Sequence, residues 1–373
     1  LTDYNLLHRD TFVVDLHSDT VLRLLDGVDL GVRSSSGHMD IPRLIEGGID
    51  LQVMACWLDT ETPVDRCRPE VDRMIDALQA QLAKYPNQIA LCTTTSQARE
   101  IAANGKIAIF IGIENGVAIA NDLDNLTHFH GRGVRYLTLI HTASSDWCIS
   151  SADTTPAFDG LTDFGRQVVR RMNELGMIID ISHASARAVE EVLKITTDPI
   201  IASHSCVYAL CKHDRNLTDE QINAIAANGG VIGVNFFNAY LSDEARILLD
   251  TLYAARKEEI DAIRALYPND LVARRNATRS IRRDICAKIE AAVVVNTGTV
   301  CDHIDYIVDL AGPDYVSLGS DFDGVGLLPR GLSDCSMVPN ITKELVARGY
   351  TEPDLKKILG ENFMRVFAQV CDR

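Results

Sequence analysis

Thr11-Phe12-Val13-Val14-Asp15-Leu16-His17-Ser18-Asp19 is a short apolar run that stops at a histidine and a carboxylate two residues apart. Seven further runs end in the same manner, at Cys56-Trp57, Glu114-Asn115-Gly116, His141-Thr142, His183-Ala184-Ser185, His204-Ser205, Asn235-Phe236 and Asp321-Phe322-Asp323. Eight such runs predict the strands of an α/β protein of the (β/α)8 TIM-barrel type, because that fold builds its active site from the C-terminal ends of its strands.

Between the runs the period changes. Residues 71–85, 162–175 and 186–194 carry apolar side chains at helical spacing, with Gly176 and the Asp198-Pro199 pair as stops. Residues 49–56, 106–113, 134–140, 177–181, 200–203, 230–234 and 315–318 are short and largely apolar, as strands covered on both faces are. No linker-like stretch intervenes, so 1–373 reads as a single barrel domain. The competing fold, an open doubly wound sheet, usually places a glycine-rich phosphate turn after its first strand, and none follows here. One segment breaks the rhythm. Residues 241–292 are rich in Arg, Glu, Ala and Asp and predict a helical insertion after the seventh strand with solvated charged faces. A flap over the pocket, or a subunit contact, is the sharper alternative.

Composition narrows the function classes. A net charge of −16 with no basic stripe argues against nucleic acid as a partner. Hydrophobic residues at 46% and charged residues at 24% suit a soluble globular enzyme. No apolar stretch reaches the roughly 18 to 20 residues needed to span a bilayer, and residues 369–373 are not a hydrophobic tail, so no membrane anchor is expected in this chain. The expected compartment is the cytoplasm, with secretion or the periplasm left open because the chain begins at Leu1. The ten cysteines show no CxxC pair and read as small buried hydrophobes. A homodimer is the base-rate expectation for such an enzyme.

The chemistry begins at His17-Ser18-Asp19. Residues two apart on a strand share a face, so His17 and Asp19 can aim at one metal from the barrel mouth. His183 and His204 close the fifth and sixth runs, neighbours in a sequentially wound barrel, and can hold a second ion. Glu114, closing the third run, sits where a carboxylate reaches both. Imidazoles and carboxylates in this combination suit Zn²⁺ or a similar divalent ion in a two-metal hydrolase. An HxH, His128-Phe129-His130, precedes the fourth run and so falls at the opposite face of the barrel. His213 lies in the loop beyond the sixth run, while His8, His38 and His303 are not at strand ends.

His17-x-Asp19, Glu114-Asn115-Gly116, the strand from Tyr136 to His141, Asp180-Ile181-Ser182-His183, Ser203-His204-Ser205, Arg215-Asn216 and Gly319-Ser320-Asp321-Phe322-Asp323-Gly324 together resemble the membrane (renal) dipeptidase family of zinc peptidases. The resemblance runs from about Asp15 to the C-terminus. It implies an amidohydrolase-type barrel holding two Zn²⁺ ions and hydrolysing dipeptides, L-Xaa-L-Xaa and also L-Xaa-D-Xaa. On that resemblance His17 and Asp19 bind one zinc, His183 and His204 the other, and Glu114 bridges them. His141 contacts the substrate and can donate a hydrogen bond to the oxygen that becomes negative. Arg215 grips the substrate carboxylate with a planar fork. Asp321 takes the proton from the attacking water and delivers it to the departing amine, and Asp323 beside it is the more natural helix cap or supporting residue. The neighbouring activities are N-acyl amino acid deacylation and lactone opening on the same metals, and a metal-stabilised binding protein without turnover is the alternative of a different class.

Overall fold

The structure is a computed structural model describing residues 3–268 and 270–373; Asn269, inside the predicted insertion, lies outside the described residues. Nine strands form one parallel sheet: β1 (Val14–Asp15), β2 (Leu51–Trp57), β3 (Ile89–Leu91), β4 (Ile107–Glu114), β5 (Val134–Thr138), β6 (Ile178–Asp180), β7 (Ile201–Ala202), β8 (Val231–Val234) and β9 (Val316–Leu318). Pairing of β1 with both β2 and β9, and of β2 with β4, closes eight of them into a ring. The fold is the (β/α)8 barrel that the sequence predicts.

β3 is the strand that the sequence reading omits. It lies outside the ring, and its origin is a gap on one edge of β4. β2 covers the other edge of β4 from Ala108 to Glu114, whereas β5 starts opposite Ile111. The lower part of that edge would expose unpaired amides, and Ile89–Leu91 fills it in register with Ile107, Ala108 and Ile109. Elsewhere the ladders are shorter than the apolar runs, most of all at β1.

The period of two sorts the strand side chains. Met54, Cys56, Ile109 and Ile111 pack with helix residues such as Val71, Ile75, Val168 and Val189, so they face the outer layer. Leu51, Val53, Ala108, Phe110, Tyr136, Ile178, Ile201 and Val231 form a second cluster with Phe363 and Phe367 of the last helix, Asn362–Cys371, and fill the lumen. Glu114 shares the parity of Ala108 and Phe110. It therefore points inward at the upper end of its strand. Gly112 lies between them, and a Cβ there would come within 2.3 Å of the Tyr136 ring, so the glycine makes room for that tyrosine in the lumen.

Helix boundaries follow local chemistry. Thr162 and Ser185 cap the helices Asp163–Leu175 and Ala186–Ile195 through their hydroxyls, and Gly176 ends the first in the left-handed region at φ 70°. The helix expected from residue 71 begins earlier, at Val64–Lys84, because Pro69 is accommodated in its second turn. The region after β8 forms the helices Asn238–Leu241, Asp243–Ala255, Lys257–Leu266 and Leu271–Ala292. The last of these buries Ile281, Ile285 and Ile289. Arg274 reaches Glu61 beyond β2 at 2.7 Å and Arg275 reaches Asp26 beyond β1 at 2.8 Å, so the insertion spans to loops at the C-terminal mouth. Nine of the ten cysteines are buried and Cys286 is half-buried. Among the described residues no helix is long and apolar enough to cross a membrane.

His303, placed by sequence in no site, is a buried tie between the barrel and the insertion. Its Nδ1 accepts from the Val207 amide at 3.1 Å, which leaves Nε2–H to donate to the Leu241 carbonyl at 3.1 Å. Burial pushes its pKa down to about 4. A folded value below the ordinary 6.5 means that the unfolded chain binds the extra proton first, so the stabilisation is full above pH 6.5 and is lost as pH falls towards 4. The displacement corresponds to roughly 3 kcal/mol. Denaturation midpoints for the wild type and His303→Gln should therefore converge between pH 7 and pH 4, and a constant difference across that range would contradict the assignment.

Candidate active site

Glu114 is the hub. Its Oε2 lies 3.4 Å from His17 Nε2, while its Oε1 lies 3.0 Å from His183 Nε2, 3.4 Å from His204 Nε2 and 3.8 Å from His141 Nε2. All of the ligand residues named from the sequence, His17, Asp19, Glu114, His183 and His204, are buried and converge here. Among the described residues three sets of donor atoms are close enough to hold an ion: His17 with Glu114 and His204, Glu114 with His141 and His183, and His17 with Asp19 and Asp321. The His17–Asp19 and His183–His204 pairing expected from sequence is thus compatible with the geometry, with His204 also close to His17, their ring centroids 3.9 Å apart.

Local chain geometry aims these groups. His17 Nδ1 is 2.9 Å from the Tyr136 hydroxyl, which in turn reaches the Leu16 carbonyl at 3.4 Å; a Tyr136 O–H spent on that carbonyl leaves Nδ1–H as donor and turns the Nε2 lone pair to the site. His183, Asp321 and Asp323 take φ of 69°, 61° and 68°, a region non-glycine residues enter at a cost and one that recurs at functional sites. Asp19 Oδ2 and Asp321 Oδ1 crowd Gly324, where a Cβ would stand 2.1 and 2.2 Å from them. Only glycine lets these two carboxylates approach the turn.

Electrostatics call for positive charge. Asp19, Glu114 and Asp321 are buried carboxylates within one pocket. Burial raises Asp19 well above the usual range, and the charge of Glu114 adds to that. Burial also lifts Asp321 to about 6, against the opposing pull of His17. Desolvation opposes a charge on His17, yet Glu114, Asp19 and Asp321 outweigh it and hold the imidazole up at about 10. His204, by contrast, is pushed down to about 3 by burial and by His17. One proton shared among so many acceptors is a poor substitute for a cation. His17 Nε2 and Asp19 Oδ1 are moreover buried without a hydrogen-bond partner, so the residues present fit divalent metal.

The other candidates surround this cluster. His141 projects at the mouth with Nδ1 3.1 Å from Thr142 Oγ1 and its ring 5.4 Å from Trp57 in an edge contact. Arg215 is buried beside it. Its Nη2 donates to the His204 carbonyl at 3.0 Å and Nη1 to Ser205 Oγ at 3.3 Å, its guanidinium lies 5.5 Å from the Tyr240 ring centroid, and its Nε is left without a partner. A cavity of about 380 Å³ opens past His183, Ser205, Tyr208 and Arg215. Asp321 accepts from Asn235 Nδ2 at 2.9 Å.

Of the residues that support the site, His213 and Asp323 are singled out by the sequence, and His38 is not. His213 accepts the Arg215 amide through Nδ1 at 3.0 Å, which fixes the backbone that carries the guanidinium. Asp323 is a clamp: it accepts from the His38 amide at 2.8 Å and from Thr20 Oγ1 at 2.8 Å, while His38 Nδ1 accepts the Asp323 amide at 2.9 Å. That agrees with a supporting role for Asp323 and gives His38 a place near the site. His128 lies on the helix Asp124–Gly131 ahead of β5 and bonds Asp72 at 2.7 Å, away from the cluster.

A closed parallel barrel with histidines and carboxylates gathered at the C-terminal ends of its strands defines the class of (β/α)8 metal-dependent hydrolases. The chain belongs to the membrane dipeptidase family, peptidase family M19, whose family model matches residues 1–372. It is similar to the probable dipeptidase PvdM from Pseudomonas aeruginosa, at 30% identity and a TM-score of 0.82 over 99% of this chain and 98% of that one. It is also similar to the dipeptidase AC, a metallopeptidase of family M19, at 25% identity and a TM-score of 0.79 over 97% and 99%. A metallopeptidase from Rhodobacter sphaeroides, crystallised with a phosphinate mimic of the dipeptide L-Ala-D-Ala, shares the fold at 24% identity and a TM-score of 0.78 over 97% and 100%. The chain is accordingly a metallopeptidase acting on dipeptides.

Proposed function

We propose that the chain hydrolyses L-L and L-D dipeptides with two zinc ions, the first held by His17 and Asp19, the second by His183 and His204, and both by Glu114. The observation that carries this reading is the placement of Glu114, with one oxygen facing His17 and the other facing His183 and His204. Bound there, two divalent ions would supply Lewis acidity for the scissile carbonyl and acidify a water for attack. The remaining work falls to side chains. Thr142 Oγ1, by donating to His141 Nδ1, leaves Nε2–H as the donor for the oxygen that gains charge during attack. Asp321, held by Asn235 and raised to about 6, accepts the proton of the attacking water and passes it to the leaving amine.

Arg215 defines the substrate's end. With Nη1 and Nη2 anchored on its own loop and the guanidinium placed against Tyr240, it presents a fixed positive charge to a terminal carboxylate. This accounts for cleavage of dipeptides in preference to chain interiors. The mimic held by the R. sphaeroides protein is of L-Ala-D-Ala, which supports including a D-residue at the carboxyl end. Arg215→Met should raise KM for free dipeptides by about 10-fold or more, given the 2–5 kcal/mol at stake in a buried charge pair, while scarcely affecting their C-terminal amides. An equal loss on both substrates removes Arg215 from carboxylate recognition. Wild-type turnover of N-acyl amino acids or lactones, with dipeptides inert, would replace the dipeptidase reading with one of those activities.

A further inference from the structure

Beneath the histidines lies a buried carboxylate that takes no part in the chemistry just described. Asp180, at the end of β6, is fully buried, and each of its oxygens accepts two hydrogen bonds. Oδ1 accepts the amides of Ser182 at 3.0 Å and Ser203 at 2.9 Å. Oδ2 accepts the hydroxyls of Thr138 at 2.5 Å and Ser203 at 2.6 Å. The donors come from β5 and the ends of β6 and β7, so the carboxylate ties three neighbouring barrel strands together.

The consequence lies in the Ser203 hydroxyl. It has a single proton, and a charge-assisted bond to Asp180 is the strongest use for it. With that proton committed, Ser203 Oγ can only accept from the imidazole next to it, and His204 Nδ1 is 2.7 Å away. His204 is thereby held as the Nδ1–H tautomer, with the lone pair of Nε2 facing Glu114 and His183. We propose that Asp180, acting through Ser203, is the positioning residue that fixes the tautomer and ring orientation of His204 for metal binding. The carboxylate–hydroxyl–imidazole chain plays the part that a direct carboxylate plays behind many metal-bound histidines. The same Oγ stands 3.5 Å from His17 Nδ1, a looser contact, and His17 has the Tyr136 hydroxyl closer at 2.9 Å. The effect is therefore confined to the ion that His204 holds.

This inference rests on the two-zinc reading, and its test separates the two. Metal-depleted full-length wild type, Ser203→Ala, Ser203→Thr, Asp180→Asn and Thr138→Val are titrated with Zn²⁺ against a chromophoric chelator, with thermal melts recorded alongside. The wild type should show two binding steps. Ser203→Ala should weaken one of them by about 10–100-fold, the range typical of lost outer-shell partners, and leave the other near its wild-type value. Ser203→Thr keeps the hydroxyl and should restore the step. Thr138→Val removes another donor to the same carboxylate without touching the relay, so a purely structural role for the cluster would make it lose as much as Ser203→Ala; the relay requires it to bind like the wild type. Should Ser203→Ala fail to fold, Asp180→Asn carries the test, since it keeps the hydroxyl and removes the acceptor that commits its proton. Unchanged binding in both Ser203→Ala and Asp180→Asn, or equal losses in Ser203→Ala and Thr138→Val, overturns the proposal. A wild type with fewer than two steps overturns the two-zinc reading along with it.

Discussion

Glu114→Gln should abolish most dipeptide hydrolysis, lowering kcat/KM by on the order of 10³-fold or more, since Lewis-acid stabilisation amounts to several kcal/mol and each 1.36 kcal/mol is tenfold in rate. The reason is geometric. Glu114 reaches both histidine groups, from 3.4 Å on one side and from 3.0 and 3.4 Å on the other. An amide keeps the volume but has one acceptor in place of two, no charge, and N–H donors that would face either His17 or the His183–His204 pair. The β4 ladder is made by main-chain groups and is untouched by the change. Far-ultraviolet circular dichroism should thus match the wild type while elemental analysis shows metal lost. Full activity with a full metal complement in Glu114→Gln would remove it from the centre.

Asp321→Asn should behave differently. Metal content and substrate affinity should survive, because Asp321 is not among the ligands proposed for either ion and Asn235 can still bond the side chain. Turnover should fall by about 10²–10⁴-fold, the usual contribution of a positioned acid–base group. An asparagine cannot accept the water's proton, and without a protonated donor the amine cannot depart. Pre-steady-state binding together with kcat separates the two effects. Near-normal kcat would remove Asp321 from proton transfer, whereas loss of one ion would make it a ligand with His17 and Asp19, an arrangement that their proximity also allows.

What could be read from sequence and what could not divide along physical lines. A strand end is a local event: an apolar run that stops at His17-Ser18-Asp19 or Ile113-Glu114 carries both the ladder and the ligand within a few residues, and period-two alternation fixes the side to which Glu114 points. β3 left no such mark, because Ile89–Leu91 answers a register offset between β4 and β5 that exists only after the barrel closes. The start of the helix Val64–Lys84 was hidden by Pro69, which reads as a break although the helix accommodates it. His38 and Asp323 meet across almost the whole chain, and no pattern along the sequence joins them. Asp180 stood in plain view beside His183, yet its role depends on where Ser203 and Thr138 lie on the adjoining strands. Arg215 came only with the resemblance to the dipeptidase family, and its fixation between the His204 carbonyl and the Tyr240 ring is visible only in the fold.

The most direct test of a two-zinc dipeptidase is hydrolysis of a panel of L-L and L-D dipeptides by metal-depleted protein before and after addition of Zn²⁺, with bound metal counted by elemental analysis. Activity should be absent at first and return in step with metal, reaching its maximum near two ions per chain, as expected for a shared two-metal centre. Two bound ions without cleavage of any dipeptide, or undiminished cleavage by the metal-depleted protein, would contradict it.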